Sequence, residues 1–326
     1  MPPATARARF LRHAAPLAMA GLVVTWSSGF VGAELSTRAH VAPLTVLGWR
    51  FMILAAGLVA VCRVSGTPLG SWRSWRRQGT LAALCQAVYL SCVFEGIHHG
   101  VAGGTAALIA ALQPLLVATV AGRLLGERST AVMWVGMMLG LSGVAVVVSG
   151  DLESSGTPIW AFVLPAAGML SLAAGTVLTR RLHPPETILQ SITMQAVVTA
   201  VLVMAAAAVA GQAGPPTHPK GWLAILWLIA FASLGGYVLY IHVTRTLGAT
   251  VVSTLLYLTP PTTMLWAFAM FGEPITGLGI LGLVISGAGV FLALHGRRTG
   301  DRLSPPAAAT GAERRVGDLR SAAREG

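Results

Sequence analysis

Residues 106–146 and 252–292 follow one plan at a constant offset of 146 residues. Leu112 falls on Leu258, Pro114 on Pro260, Ala121 on Ala267, Gly126 on Gly272 and Glu127 on Glu273. Thr130 then falls on Thr276, Gly136 on Gly282, Gly143 on Gly289 and Val144 on Val290. Each copy is an apolar run with a proline inside, a short Gly-Glu hinge, and a second apolar run with spaced glycines. Apolar residues coincide easily, but Gly, Pro and Glu in register do not. A fixed-period echo outranks other organisational signals. With a period near half the chain, it describes two copies of one unit.

The unit belongs in a membrane. Of 326 residues, 55% are hydrophobic and 10% charged, against about 25% charged in soluble domains. The apolar runs reach about 20 residues, the length a helix needs to cross a bilayer, whereas barrel strands alternate over about 10. Ten spans are expected: 16–35, 44–63, 80–98, 102–124, 130–149, 159–179, 187–209, 222–243, 249–271 and 276–295. Backbone groups in lipid have no water partner, so each span must be helical. The expected fold class is therefore all-α integral membrane, with ten transmembrane helices as two inverted five-helix repeats. The expected division is a cytoplasmic segment 1–15, a first repeat 16–149, an outer loop 150–158, a second repeat 159–295 and a disordered basic tail 296–326.

The net charge of +11 reports orientation and not nucleic-acid binding. With the N-terminus in the cytoplasm, all of the 22 Lys and Arg fall in inner segments except Arg38, Lys220 and Arg50. This is a strong positive-inside bias. It places the chain in the cell's inner membrane with both termini cytoplasmic. Five spans per half is odd, so the second copy crosses upside down, the plan of many secondary transporters. Arg7, Arg9 and Arg12 before the first apolar run resemble a signal peptide, but the run continues and is read as a retained helix. Cys62, Cys85 and Cys92 sit inside apolar runs and show no metal or disulfide spacing.

The ordered set Trp26-Ser-Ser-Gly-Phe-Val-Gly, Pro43-Leu-Thr with Arg50-Phe51, and the two proline-to-Gly-Glu units resembles the EamA-type branch of the drug/metabolite transporter superfamily. The resemblance covers about residues 16–295. Gly29 is a departure, since many members carry asparagine there. The resemblance implies a ten-helix bundle, a central cavity lined mainly by spans 1, 3, 4, 6, 8 and 9, and export of small metabolites or drugs.

Ionisable groups in a bilayer are costly and each invites a functional reading. Three stand out in the outer half: Glu34, Arg50 and Glu95. The repeat partner of Arg50 is Ile192, so the bundle plan does not demand the charge. Arg50 is a candidate anchor for a substrate carboxylate, or a counter-ion of Glu34 or Glu95 holding spans 1, 2 and 3 together. Glu95 is the candidate proton carrier, weighed against a solvated interfacial Glu. Glu95 and His98 have metal-ligand spacing but lack a second such pair. His242 lies within one residue of the repeat position of Glu95 and is a candidate pH-sensitive group. Pro114 and Pro260 interrupt spans 4 and 9 in matching places, the best sequence pointer to a midplane site. Gln113 and Thr259 precede them and are candidate substrate donors or acceptors. Trp26 and Tyr257 are candidate aromatic walls. Gly136, Gly140 and Gly143, with Gly282, Ser286 and Gly289, form small-residue faces for close helix contact. Those faces suit either packing within the chain or a homodimer.

The expected function is a secondary active transporter, an exporter of a small amino acid-like metabolite or drug by alternating access, with protons as a candidate coupling partner. Its partners are the small-molecule substrate and the lipid bilayer, not nucleic acid. The alternatives are an importer or exchanger of phosphorylated or sugar-nucleotide metabolites, or a non-transporting scaffold. No Walker-type, His-Glu-x-x-His or Gly-x-Ser-x-Gly pattern is present. ATP, cofactors, metals and enzymatic catalysis are therefore not expected.

Overall fold

A computed structural model describes residues 4–117, 131–182, 184–247, 252 and 255–302. The described residues are helical, with no strand. In order, α1 is Ala4–Arg38, α2 Pro43–Val64 and α3 Trp72–His98. Helix α4 is Gly103–Ala110, resuming at 113–117. Then come α5 at Ala131–Ser155, α6 at Ile159–Leu182 and α7 at Ile188–Val209. Helix α8 begins with Pro219–Trp227 and ends with Gly236–Leu247, α9 is Thr259–Phe271 and α10 is Gly277–Arg302.

Among the described residues, seven helices are long and apolar enough to cross a membrane: α1 from Pro16, α2, α3, α5, α6, α7 and α8. Gly103–Val117 and Gly277–Leu292 are shorter apolar helices. The expected spans 102–124 and 249–271 fall partly outside the described residues, as do Ala121, Gly126, Glu127 and Thr130. Several boundaries differ, and α3 begins at Trp72 where 80 was expected. Helix α1 starts at Ala4 because the Ala- and Arg-rich stretch before Pro16 consists of good helix formers. Helix α5 continues to Ser155, through most of the expected loop, and Gly156 ends it at φ 64°. Helix α10 runs past 295 to Arg302, and the rest of the expected tail lies outside the described residues.

Each half packs chiefly against the other. Helices α2 and α7 run antiparallel: Thr45 donates to Gln212 O (2.6 Å) near one end, and Cys62 meets Thr193 (3.3 Å) near the other. Helices α5 and α10 form the most extensive helix pair among the described residues. A Cβ on Gly143 would meet Gly282 O at 2.6 Å, and one on Gly289 would meet Gly136 O at 2.6 Å. The small-residue faces are thus used inside one chain, antiparallel and backbone to backbone. Helix α4 meets α9, α3 meets α6 and α1 meets α8. One apolar cluster joins Phe30, Phe51, Phe94 and Ile97 to Ala196, Ile225 and Leu228, so neither half has a core of its own. Apolar side chains such as Val135, Met138, Val163, Val201 and Val284 point outward, as a lipid-facing surface requires.

Two irregularities recur at the repeat offset. Helix α4 breaks at residues 111–112, and the chain turns at 257–258 before α9. The expected interruptions at Pro114 and Pro260 are therefore present. Helix α3 carries a π-helical segment, Ala83–Val88, and α8 carries another, Leu228–Gly235. π segments are rare and concentrate at functional sites.

Candidate functional site

A cavity of about 360 Å³ lies between the halves, bounded by α1, α2, α3, α7 and α8. This is within the range of small-molecule pockets. Both π segments face it, through Gln86 on α3 and Ala232, Ser233 and Leu234 on α8. Its walls are mostly apolar and aromatic: Trp26 and Phe30 from α1, Phe51, Leu54 and Leu58 from α2, Tyr89 and Phe94 from α3, and Tyr237 and Val238 from α8.

Among the described residues, Arg50 is the one charged residue lining it. Position 50 lies two turns into α2, where the helix faces inward, and the side chain is 7% exposed. Its Nε and Nη2 both donate to Ser233 Oγ, at 3.2 and 3.0 Å. The guanidinium carbon lies 5.1 Å from the centre of the Phe51 ring. A guanidinium has five N–H donors, and the remaining three have no protein acceptor among the described residues. The expected ion pair with Glu34 or Glu95 is absent among them. Glu34 instead binds Arg38 (2.9 Å), one turn further along α1. Arg38 also binds Glu273 (2.9 Å) before α10. Glu95 lies 3.8 Å from His99, one turn on. Each acid thus has a nearer partner at its own end of the bundle, and among the described residues Arg50 is a buried charge without a counter-ion.

The other predicted residues scatter. Trp26 lines the cavity and stacks on Tyr240, with centroids 5.5 Å apart. Glu95 does not line it. Gln113 donates to Thr176 Oγ1 (2.9 Å), tying α4 to α6. His242 is exposed. Tyr257 packs against Leu112, Leu115 and Val290. Thr259 is buried at the start of α9, where its carbonyl accepts from Ser27 (3.4 Å) and Thr263 (2.9 Å). Pro260 is buried beside it, and Pro114 is half-buried. The paired prolines mark real helix interruptions, but these residues do not line the cavity.

The sequence screen missed a polar chain that leads from the cavity wall to one end of the bundle. Gln86 accepts from Thr199 (3.1 Å) and donates to Gln195 (2.8 Å). Gln195 donates to Gln78 (2.7 Å), and Gln78 donates to Glu186 (3.0 Å). Glu186 also accepts from Arg77. Desolvation opposes the charge on Glu186, but hydrogen bonds from Arg77, then Gln78 and Ser74, outweigh it and hold the carboxyl down at about 2. The pair joins α3 to the turn before α7. Arg38 and Glu273 join α1 to the turn before α10 at the opposite end. Glutamines inside apolar spans were the available signal, and a screen for ionisable groups alone passes over them.

The model of the EamA-like transporter family matches this chain twice, over residues 13–149 and 159–295. The two matches are the two halves related by the 146-residue offset. The chain belongs to the EamA-like transporter family.

Relatives of this EamA-like transporter agree over nearly their whole length. It is 26% identical to the uncharacterized inner membrane transporter YedA of Escherichia coli (strain K12), over 86% of this chain and 90% of that one. It is 29% identical to a probable terminal-alkyne amino-acid exporter of Streptantibioticus cattleyicolor, over 83% and 90%. It is 23% identical to a probable amino-acid metabolite efflux pump of Salmonella typhimurium, over 85% and 93%. A crystal structure shares the fold with a TM-score of 0.60 at 21% identity, covering 88% of this chain and 99% of that one.

Proposed function

We propose that this EamA-like transporter is a secondary exporter of a small organic metabolite, amino acid-like or drug-like, working by alternating access. The observation that carries this is the cavity between the halves, walled by apolar groups and holding one buried, unneutralised Arg50. An uncompensated buried charge is costly to keep, and a site for an anionic group accounts for it. The names of the amino-acid exporter and the efflux pump among its relatives support the direction. In this reading the chain crosses the inner membrane ten times as two inverted five-helix repeats, with both termini cytoplasmic. The antiparallel pairing of α5 with α10 and of α2 with α7 supports the inversion, and the arginine distribution supports the orientation.

In that orientation the Arg77–Glu186 pair faces the cytoplasm and the Arg38–Glu273 pair faces outward. Each links the two halves at one end of the cavity. They are the contacts that opening at either face would break. Phosphorylated or sugar-nucleotide substrates fit poorly, because one cation alone lines the cavity.

The test is a screen of cells over-expressing the protein against toxic carboxylates, amino-acid analogues and cationic drugs, with Arg50→Ala beside the wild type. Export predicts resistance and lower internal solute with the wild type, and loss of both in the variant at equal membrane levels. If no compound separates wild type from empty vector and no flux is measured in proteoliposomes, the reading fails.

A further inference from the structure

We propose that the cavity selects amphipathic organic monoanions: carboxylates with an apolar or aromatic body and no ammonium group. This narrows the export reading to its carboxylate substrates, setting amino acids with a free ammonium aside, and rests on that reading for the identity of the site. A carboxylate suits Arg50, whose free N–H groups form the planar fork that carboxylates accept in pairs. Ser233 holds one edge of that fork and leaves the rest for a ligand.

An amino acid also brings an ammonium, and the cavity offers it no charge partner. Among the described residues, no Asp or Glu lines the cavity. Five acids among the described residues are engaged elsewhere: Glu34 and Glu273 on Arg38, Glu186 on Arg77, Glu95 beside His99, and Asp151 on Thr105. Gln86, Tyr89 and Tyr237 are neutral, and Gln86 is already bonded to Thr199 and Gln195. Neutral acceptors and aromatic faces do not offset the desolvation of an ammonium as a carboxylate would. Arg50 itself repels it.

The internal symmetry makes the same point. The repeat counterpart of Arg50 is Ile192, which also lines the cavity, and that of Ser233 is Ala87, a buried apolar residue. At these two positions the halves have diverged, leaving a single charged pole in a mostly apolar chamber. The complement of such a chamber is a molecule with one charged end.

The experiment titrates the purified full-length protein with three probes that share one phenyl body and differ in charge: 3-phenylpropanoate, L-phenylalanine and 2-phenylethylamine. The expected order is 3-phenylpropanoate tightest, phenylalanine at least about tenfold weaker and the amine unbound. Arg50→Ala should weaken 3-phenylpropanoate by about thirtyfold or more, as expected when one partner of a buried charge pair is removed. Arg50→Lys, which keeps the charge and the fold, should recover part of that loss. The proposal is overturned if phenylalanine or the amine binds as tightly as the anion, if none of the three saturates, or if Arg50→Lys binds no better than Arg50→Ala. Flux in proteoliposomes is read separately. Anion-selective binding without flux overturns export and leaves the ligand class, whereas flux with no preference for anions overturns the ligand class and leaves export.

Discussion

Arg50 crosses from the first half to the second to donate twice to Ser233 Oγ, at 3.2 and 3.0 Å. Arg50 projects from the regular helix α2, whereas Ser233 lies inside the π segment of α8. Removing the hydroxyl leaves the guanidinium buried but unsteered. Hydrogen bonds to charged groups contribute about 1.5–3 kcal/mol. Ser233→Ala is expected to raise KM for a transported anion about tenfold while the maximal rate and membrane level hold. An unchanged KM would show that Ser233 does not aim Arg50.

The Glu186 carboxyl is 4% exposed and held at about 2 by Arg77, Gln78 and Ser74. An unfolded glutamate titrates at about 4.3. The folded value is the lower one, so the pair's contribution to stability is full above about pH 4.3 and is lost as the pH falls toward 2. The melting temperature in detergent should therefore drop between about pH 4.5 and 2. Glu186→Gln should lower it at neutral pH and flatten that part of the acid profile. A wild-type profile identical to that of Glu186→Gln would remove the pair from the account of stability.

Gly143 touches the backbone of α10, where an added Cβ would lie 2.6 Å from Gly282 O and 2.8 Å from Ser286 Cα. Backbone cannot yield as a side chain does. Gly143→Val is expected to cost about 1–3 kcal/mol or more, as overpacking does, and to lower the melting temperature of the purified chain. Gly57, with nothing within 4 Å of its Cβ position, is the control, and Gly57→Val should leave melting nearly unchanged. Equal effects at the two sites would contradict the close approach.

Gln86 joins Thr199 to Gln195. Gln86→Leu removes both bonds and leaves two polar groups without partners in an apolar wall. Each such group costs about 1–3 kcal/mol. Thermal melting should fall, and Gln86→Glu, which still accepts from Thr199, should fall less. If Gln86→Leu melts with the wild type, the glutamine chain is not a structural element.

The architecture was legible because duplication writes itself in glycine and proline. The breaks at 111–112 and 257–258 stand where Pro114 and Pro260 predicted them. The glycine faces of 136–143 and 282–289 meet as their spacing allowed, but with each other inside one chain. Of the candidate site residues, Arg50 and Trp26 reached the cavity. Arg50 was legible because a charge inside an apolar run must serve something. Its partner was not, because Ser233 is one of several small polar residues in such runs and hydropathy does not separate them. Glu95 does not line the cavity and lies 3.8 Å from His99, one turn on at the end of α3, a spacing the sequence already shows. The π segments left no trace in composition.

The α5–α10 seam also bears on how such a gene can be built. A lone first repeat would leave the glycine face of α5 bare, since its cover is α10 of the second repeat, packed antiparallel to it. Two repeats on separate genes would have to be made in equal amounts. Joining them through the short link between Ser155 and Ile159 fixes the one-to-one ratio in a single translation product. It follows that a chain severed at Gly156 should still assemble when both pieces are co-expressed, and that either piece alone should not persist.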